Sequence, residues 1–250
     1  EFNVQLCSSY KGGDFKKPML AQPKLDGIRS IFIIDSDGVP QALSRSGKPI
    51  QNWAHVGDIL KAFPDTTFDG ELMADDWNLS AGLAHKHGER DERLKYYVFD
   101  MLTFEEWCAQ SCSRTLLERQ KVLNKALKGK EYIVLVPSVY VTTEEQVWKL
   151  AAEYLEQGFE GVVLKDPDST YNFGRGAEWQ KAKFEDTIDL EITGFQEGEG
   201  KHKGRLGAIL CQTPSGGTVA VGGGYTDVQR DEFWARRTEL VGNFIEVKAQ

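Results

Sequence analysis

None of the four cysteines of this 250-residue chain pairs with another in C-x-x-C spacing, and none of its four histidines stands at zinc-finger distance from them. A zinc site built on paired cysteines is thereby excluded. Cys7, Cys108, Cys112 and Cys211 read as free thiols, with a metal or redox pair of Cys108 and Cys112, spaced to share a helical face, as the alternative. No apolar run approaches the ~20 residues of a bilayer-spanning helix, and no signal-peptide stretch opens the chain. A cytoplasmic protein with no membrane partner is the expectation. Internal repeats and low-complexity segments are missing too. Positive charge is in deficit, 30 Lys and Arg against 38 Asp and Glu, a net of −8. Whole-surface attraction to nucleic acid is excluded by that balance, whereas a local basic groove is not. His85-Lys86-His87 lies among Gly, Lys, Glu and Arg and reads as a solvated loop.

The hydrophobic content of 40% and charged content of 27% suit a globular fold of one large or two modest domains. Residues 28–34 read as a strand, Asp35-Ser36-Asp37-Gly38 as a turn, and Val39 to Leu43 as the returning strand. Helices are predicted over Trp53–Phe63, Arg114–Leu127 and Glu144–Gln157. The last shows Val147, Leu150, Ala151, Tyr154 and Leu155 on one face, with Thr143 and Gln146 placed as a capping box. Strands follow at Lys95–Phe99, Tyr132–Val136 and Gly161–Lys165. Antiparallel sheets flanked by helices fit this order better than regular βαβ repeats. Near Asp186 the texture changes. Residues 188–250 read as strand, glycine-rich loop (Glu197 to Gly207), strand, Pro214-Ser215-Gly216-Gly217 turn, strand, helix (Asp227 to Leu240) and strand (Asn243 to Val247). A small barrel with an inserted helix accounts for this pattern.

Five motifs follow one another: Lys24-Leu25-Asp26-Gly27-Ile28-Arg29, Phe68-Asp69-Gly70-Glu71-Leu72, Tyr97-Val98-Phe99-Asp100, Glu160-Gly161-Val162-Val163-Leu164-Lys165 and Trp179-Gln180-Lys181-Ala182-Lys183. The first alone turns up by chance in about one chain of this length in twenty. As an ordered set they resemble the motifs of covalent nucleotidyltransferases, most closely the small phage-type ATP-dependent DNA ligases. The resemblance implies an α+β fold: a nucleotidyltransferase (ATP-grasp-like ligase adenylation) domain over residues 1–186, then an OB-fold barrel over 187–250. It implies ATP as co-substrate, Mg2+ (or Mn2+) as metal, and nicked duplex DNA as partner of a monomeric enzyme in a bacterial or virus-infected cell. An RNA ligase, a capping guanylyltransferase and a non-catalytic end-binding protein are the alternatives.

Residue by residue, the resemblance makes Lys24 the nucleophile that carries AMP, and Asp26 its acidic partner in metal binding and the later steps. An amine attacks phosphorus only when deprotonated, so Arg29, Lys181, Lys183 and a cation near Lys24 have to lower its proton affinity. Glu160 and Glu71 are the further metal carboxylates, and Glu71 is alternatively a ribose contact. Phe99 is either a stacking face for adenine or a core residue. Lys165, Lys181 and Lys183 belong to the nucleotide site, the last two alternating onto one strand face. Gln22 lies where the family contacts the base, usually through an acidic residue. Arg29, Arg45 in Ser44-Arg45-Ser46-Gly47, and Arg175 in Tyr171-Asn172-Phe173-Gly174-Arg175 match phosphate-contacting arginines. Lys201, Lys203 and Arg205 form a candidate DNA-facing edge. The family's final basic motif is not found before Gln250, and the natural protein is expected to continue beyond it.

Overall fold

A computed structural model describes residues 2–74, 80, 82–84, 86–184, 187–213 and 216–248. His85, Asp75-Asp76, Pro214, Ser215 and the expected boundary residue Asp186 lie outside them. The chain divides into two units, Glu1–Phe184 and Glu185–Gln250. In the first, the strands are β1 (Leu6–Ser9), β2 (Met19–Lys24), β3 (Ile28–Ile34), β4 (Pro40–Ser44), β5 (Thr66–Met73), β6 (Lys95–Thr103), β7 (Ile133–Leu135), β8 (Val139–Val141), β9 (Gly161–Lys165) and β10 (Arg175–Ala182). They form two five-stranded sheets, ordered β1-β10-β9-β2-β8 and β4-β3-β5-β6-β7. The expected antiparallel pairing is corrected at one edge of each sheet, where β1 runs parallel to β10 and β7 parallel to β6. Both pairs join segments separated by long crossovers, the connection parallel strands need.

Side-chain alternation on β3 sorts the layers. Phe32 and Ile34 join a cluster with Val56 and Leu60 of the helix Ala54–Leu60 and Leu123 and Leu127 of the helix Leu116–Leu127. Ile31 and Ile33 point the other way, into a cluster holding Phe99 and Trp179. On the opposite sheet, Ala21, Val162, Leu164 and Ala182 pack on Val147, Ala151 and Tyr154 of the helix Glu144–Glu156. The order is helix, sheet, sheet, helix, and the inward faces of both sheets are left to build a site. The predicted capping box is present, with the Thr143 side chain accepting from the Gln146 N–H. Leu155, expected on the apolar face, is 52% exposed, because that helix has only a narrow stripe against the sheet. Cys108 and Cys112 do not share a helix. The helix Phe104–Ala109 that holds Cys108 ends before Cys112, with Gln110 left-handed at φ 51°, leaving Cys108 exposed and Cys112 buried.

A β-bulge shapes the inward face. Asp69 of β5 lies opposite Asp100 of β6 and Gly70 opposite Val98, so Phe99 is an extra residue. Val98 and Met101 both reach the helix-side cluster, whereas Phe99 turns inward between the sheets. The close approach demands glycine at position 70, where a Cβ would stand 2.5 Å from the Tyr97 carbonyl oxygen.

The second unit contains β11 (Thr187–Glu197), β12 (Leu206–Gln212), β13 (Thr218–Val221) and β14 (Phe244–Lys248), antiparallel in the order β13-β12-β11-β14. Leu190, Ile192, Leu206, Ile209 and Cys211 form its core, with Phe233 and Trp234 packed against them. The helix expected over 227–240 breaks at Arg236 into Asp227–Ala235 and Arg237–Leu240.

Candidate nucleotidyl-transfer site

Register brings the motif residues together. Lys24 pairs with Gly161 and Gln22 with Val163 across β2 and β9, while Trp179 pairs with Lys165 and Lys181 with Val163 across β9 and β10. Lys24, Gln22, Val163, Lys165, Trp179 and Lys181 thus share one face and line a cleft of about 720 Å³. Arg29 of β3, Glu71 of β5 and Phe99 of β6 line it from the other sheet.

Lys24 ends β2 with its Nζ against the Glu160 carboxylate. The Glu160 N–H donates to the Lys24 carbonyl at 3.0 Å, holding the two residues side by side. Gly161 follows at φ 143°, and a Cβ there would run into the Ala182 carbonyl. Burial lowers the proton affinity of the Lys24 amine; Glu71 opposes this, and Lys183 and Lys181 add to it. Burial pushes the Glu71 carboxyl up, against Arg29, the Gly27 N–H that donates to it at 2.9 Å, and Lys24.

Deeper in the cleft the charges are paired. The Arg29 Nε and Nη2 donate to Asp69 at 2.6 and 2.7 Å, and the Tyr171 hydroxyl donates to the same carboxylate at 2.6 Å. The Arg29 fork is therefore committed within the protein rather than free for a phosphate. Phe99 is buried in the inter-sheet cluster and also lines the cleft. Gln22 is buried, its Nε2 donating to the Ser138 hydroxyl at 2.8 Å and more weakly to the Val136 carbonyl at 3.5 Å. With both N–H bonds engaged, the side-chain oxygen is the group left for a ligand.

Other expected residues lie farther out. Asp26 is half-buried and is not part of the cleft lining. Lys181 is half-buried on β10; Lys183 is exposed just past its end. Arg45 and Arg175 are exposed at the cleft, and Arg175 donates to the Cys7 carbonyl. The carboxylates of Glu160, Glu71 and Asp26 do not converge: among the described residues no three acidic, cysteine or histidine side chains gather as a metal cage. In the second unit Lys201 and Lys203 are exposed. Arg205 is instead held by Asp231 at 2.9 Å and Asp227 at 3.6 Å, because the acidic start of the helix Asp227–Ala235 faces it. Sequence reasoning missed Asp69 and Tyr171. Asp69 stands two residues before Glu71, on the same face of β5, so alternation could have found it; no local signal marks Tyr171.

A lysine of lowered proton affinity, at the mouth of a cleft lined by two facing sheets and followed by a small β unit, defines a protein of the nucleotidyltransferase type. The chain belongs to the ATP-dependent DNA ligase family: the model of the ATP dependent DNA ligase domain matches residues 5–183, and that of the DNA ligase OB-like domain matches 197–250. It is 28% identical to the DNA ligase of Sulfurisphaera tokodaii, over 90% of this chain and 45% of that protein. The Haemophilus influenzae DNA ligase is 25% identical over 83% of this chain and 73% of that one. Among solved structures, a chain named Pmar-Lig_PreS3 superposes with a TM-score of 0.83 at 26% identity, over 99% of this chain and 62% of that chain. The first curated relatives are longer proteins, of which this chain spans 19%, 45% and 26%.

Proposed function

We propose that this chain seals nicks in duplex DNA with ATP as co-substrate, acting as a monomer in the cytoplasm of a bacterial or virus-infected cell. The observation that carries the reading is Lys24, an amine of lowered proton affinity at a cleft of nucleotide size. Its Nζ attacks the α-phosphorus and releases pyrophosphate. The bound AMP passes to the 5′-phosphate at the nick, and the 3′-hydroxyl then displaces AMP as the phosphodiester forms. Lys181 and Lys183, near enough to depress Lys24, are placed to neutralise phosphate charge, and catalysis rests chiefly on positioning and electrostatics. Glu160 and Glu71, both beside Lys24, offer the hard oxygens that suit Mg2+, whose remaining ligands would be phosphate and water. Such an ion polarises the phosphoryl oxygens.

Gln22 favours ATP over GTP. Its free acceptor oxygen suits the exocyclic amine of adenine, whereas the guanine oxygen would face it acceptor to acceptor. The test is transfer of α-phosphate label to the protein from ATP and from GTP, followed by sealing of nicked DNA and nicked RNA. Labelling from ATP with sealing of DNA is expected. Labelling from GTP would select the capping reading, sealing restricted to RNA the RNA-ligase reading, and no labelling at all the non-catalytic one.

A further inference from the structure

Lys165 closes β9 with a side chain that lines the cleft and is only 2% exposed. Its Nζ stands 3.8 Å from the centroid of the Trp179 ring and 4.2 Å from that of Phe99, and among the described residues no hydrogen-bond acceptor meets it. The two carboxylates nearest in charge are already engaged. Asp69 takes the fork of Arg29 and the hydroxyl of Tyr171. Asp100 takes the Nε and Nη2 of Arg119 at 2.7 and 2.9 Å, in an ion pair wholly out of solvent. Two carboxylates against two guanidiniums leave Lys165 uncompensated among the described residues.

The other groups around it do not supply a counter-charge. The Cys7 thiol on β1 is pushed up by burial and stays neutral. Arg29 on β3 repels the ammonium, Lys24 and Lys181 on β2 and β10 bring no negative charge to the cleft they line, and Glu71 on β5 is bonded to the Gly27 N–H beside Lys24. Burial pulls the Lys165 ammonium down to about 7, with Arg29 acting in the same sense and Asp100, Cys7 and Asp69 opposing. Aromatic faces at these distances suit a cation, so the site accepts the charged form once negative charge enters the cleft.

We propose that Lys165 is a proton-linked binding residue of the nucleotide cleft, whose amine takes up a proton as an anionic nucleotide binds. One proton passes from solvent to Nζ as the anionic ligand binds, and no other bond changes. The proposal rests on the nucleotide reading above, and it adds that binding is coupled to proton uptake at a residue distant along the sheet from the nucleophile.

The experiment follows the Lys165 Cε resonance in the full chain labelled with 13C-lysine, a signal displaced by the ring currents of Trp179 and Phe99. It is titrated alone and with α,β-methylene-ATP, which cannot transfer AMP. A midpoint near 7 without the analogue, rising by at least about one pH unit with it, is expected. Calorimetry in two buffers of different ionisation heat, near pH 7, should show uptake of about half a proton more for the wild type than for Lys165→Met. A midpoint at the ordinary lysine value of about 10.4 without ligand would overturn the proposal. A midpoint indifferent to bound analogue, or equal uptake in Lys165→Met, would overturn it and leave the nucleotide reading standing. No binding by the folded wild type would overturn both. The resonance titration needs only the wild type, so a variant that fails to fold does not remove the test.

Discussion

At the scale of the residue, two lysines in one cleft are depressed by burial and call for opposite tests. As the proposed nucleophile, Lys24 needs its free amine, so Lys24→Ala should abolish labelling from ATP. Lys24→Arg should do the same, since a guanidinium stays protonated. Gel detection of labelled protein checks both, and a labelled band in either variant would move the nucleophile elsewhere. Lys165 bears on stability. The unfolded chain holds this proton up to about 10.4, the folded chain only to about 7, so between those values the unfolded state binds the extra proton. Stability attributable to this residue therefore rises with pH across the window, at about 1.4 kcal/mol per unit, and is lowest below it. Lys165→Met should remove that slope and be the more stable protein near pH 7. Urea unfolding of both proteins at several pH values gives the difference curve, and parallel curves would contradict the charge accounting.

Among the elements, the joint between β6 and the helix Leu116–Leu127 depends on Arg119 and Asp100, both fully buried. Arg119 also donates to the Arg114 carbonyl at 2.7 Å. Arg119→Met strands a carboxylate and should cost about 3–5 kcal/mol in denaturant unfolding, whereas Arg119→Met with Asp100→Leu should recover much of the loss. A cost of the single variant below about 1 kcal/mol would mean that Asp100 finds another partner or a proton. This joint was invisible in the sequence, because an arginine in an amphipathic helix reads as a solvated one. What was legible were elements with a local cause: the β3–β4 hairpin at Asp35 to Gly38 and the helix capped by Thr143. The bulge that turns Phe99 inward, the parallel seat of β1 and the pairing of Arg29 with Asp69 depend on segments far apart in the chain, and no local pattern encodes them.

For the whole molecule, the net charge of −8 means that any hold on DNA must come from a few exposed cations. Lys201→Gln with Lys203→Gln should reduce the salt slope of nick binding by about 2, near 0.9 for each phosphate no longer neutralised. Arg205→Gln should leave the slope alone and loosen the second unit instead, since its charge is spent on Asp227 and Asp231. Filter-binding titrations over a range of salt separate the two, and an unchanged slope in the double variant would turn this loop away from DNA. The topology of the first unit has a consequence for how the protein is made. β3, β4, β5 and β6 pair with strands close to them in the chain, but Leu6 waits for Arg175 and Lys24 for Gly161. On the ribosome the sheet β4-β3-β5-β6-β7 can close while β2 has at most β8 beside its Met19–Ala21 end, and the cleft forms only as β9 and β10 emerge. A nascent chain halted before them would leave the β9-facing edge of β2, Lys24 included, as an open strand edge, so steady elongation through the last third of this unit guards that edge against mispairing.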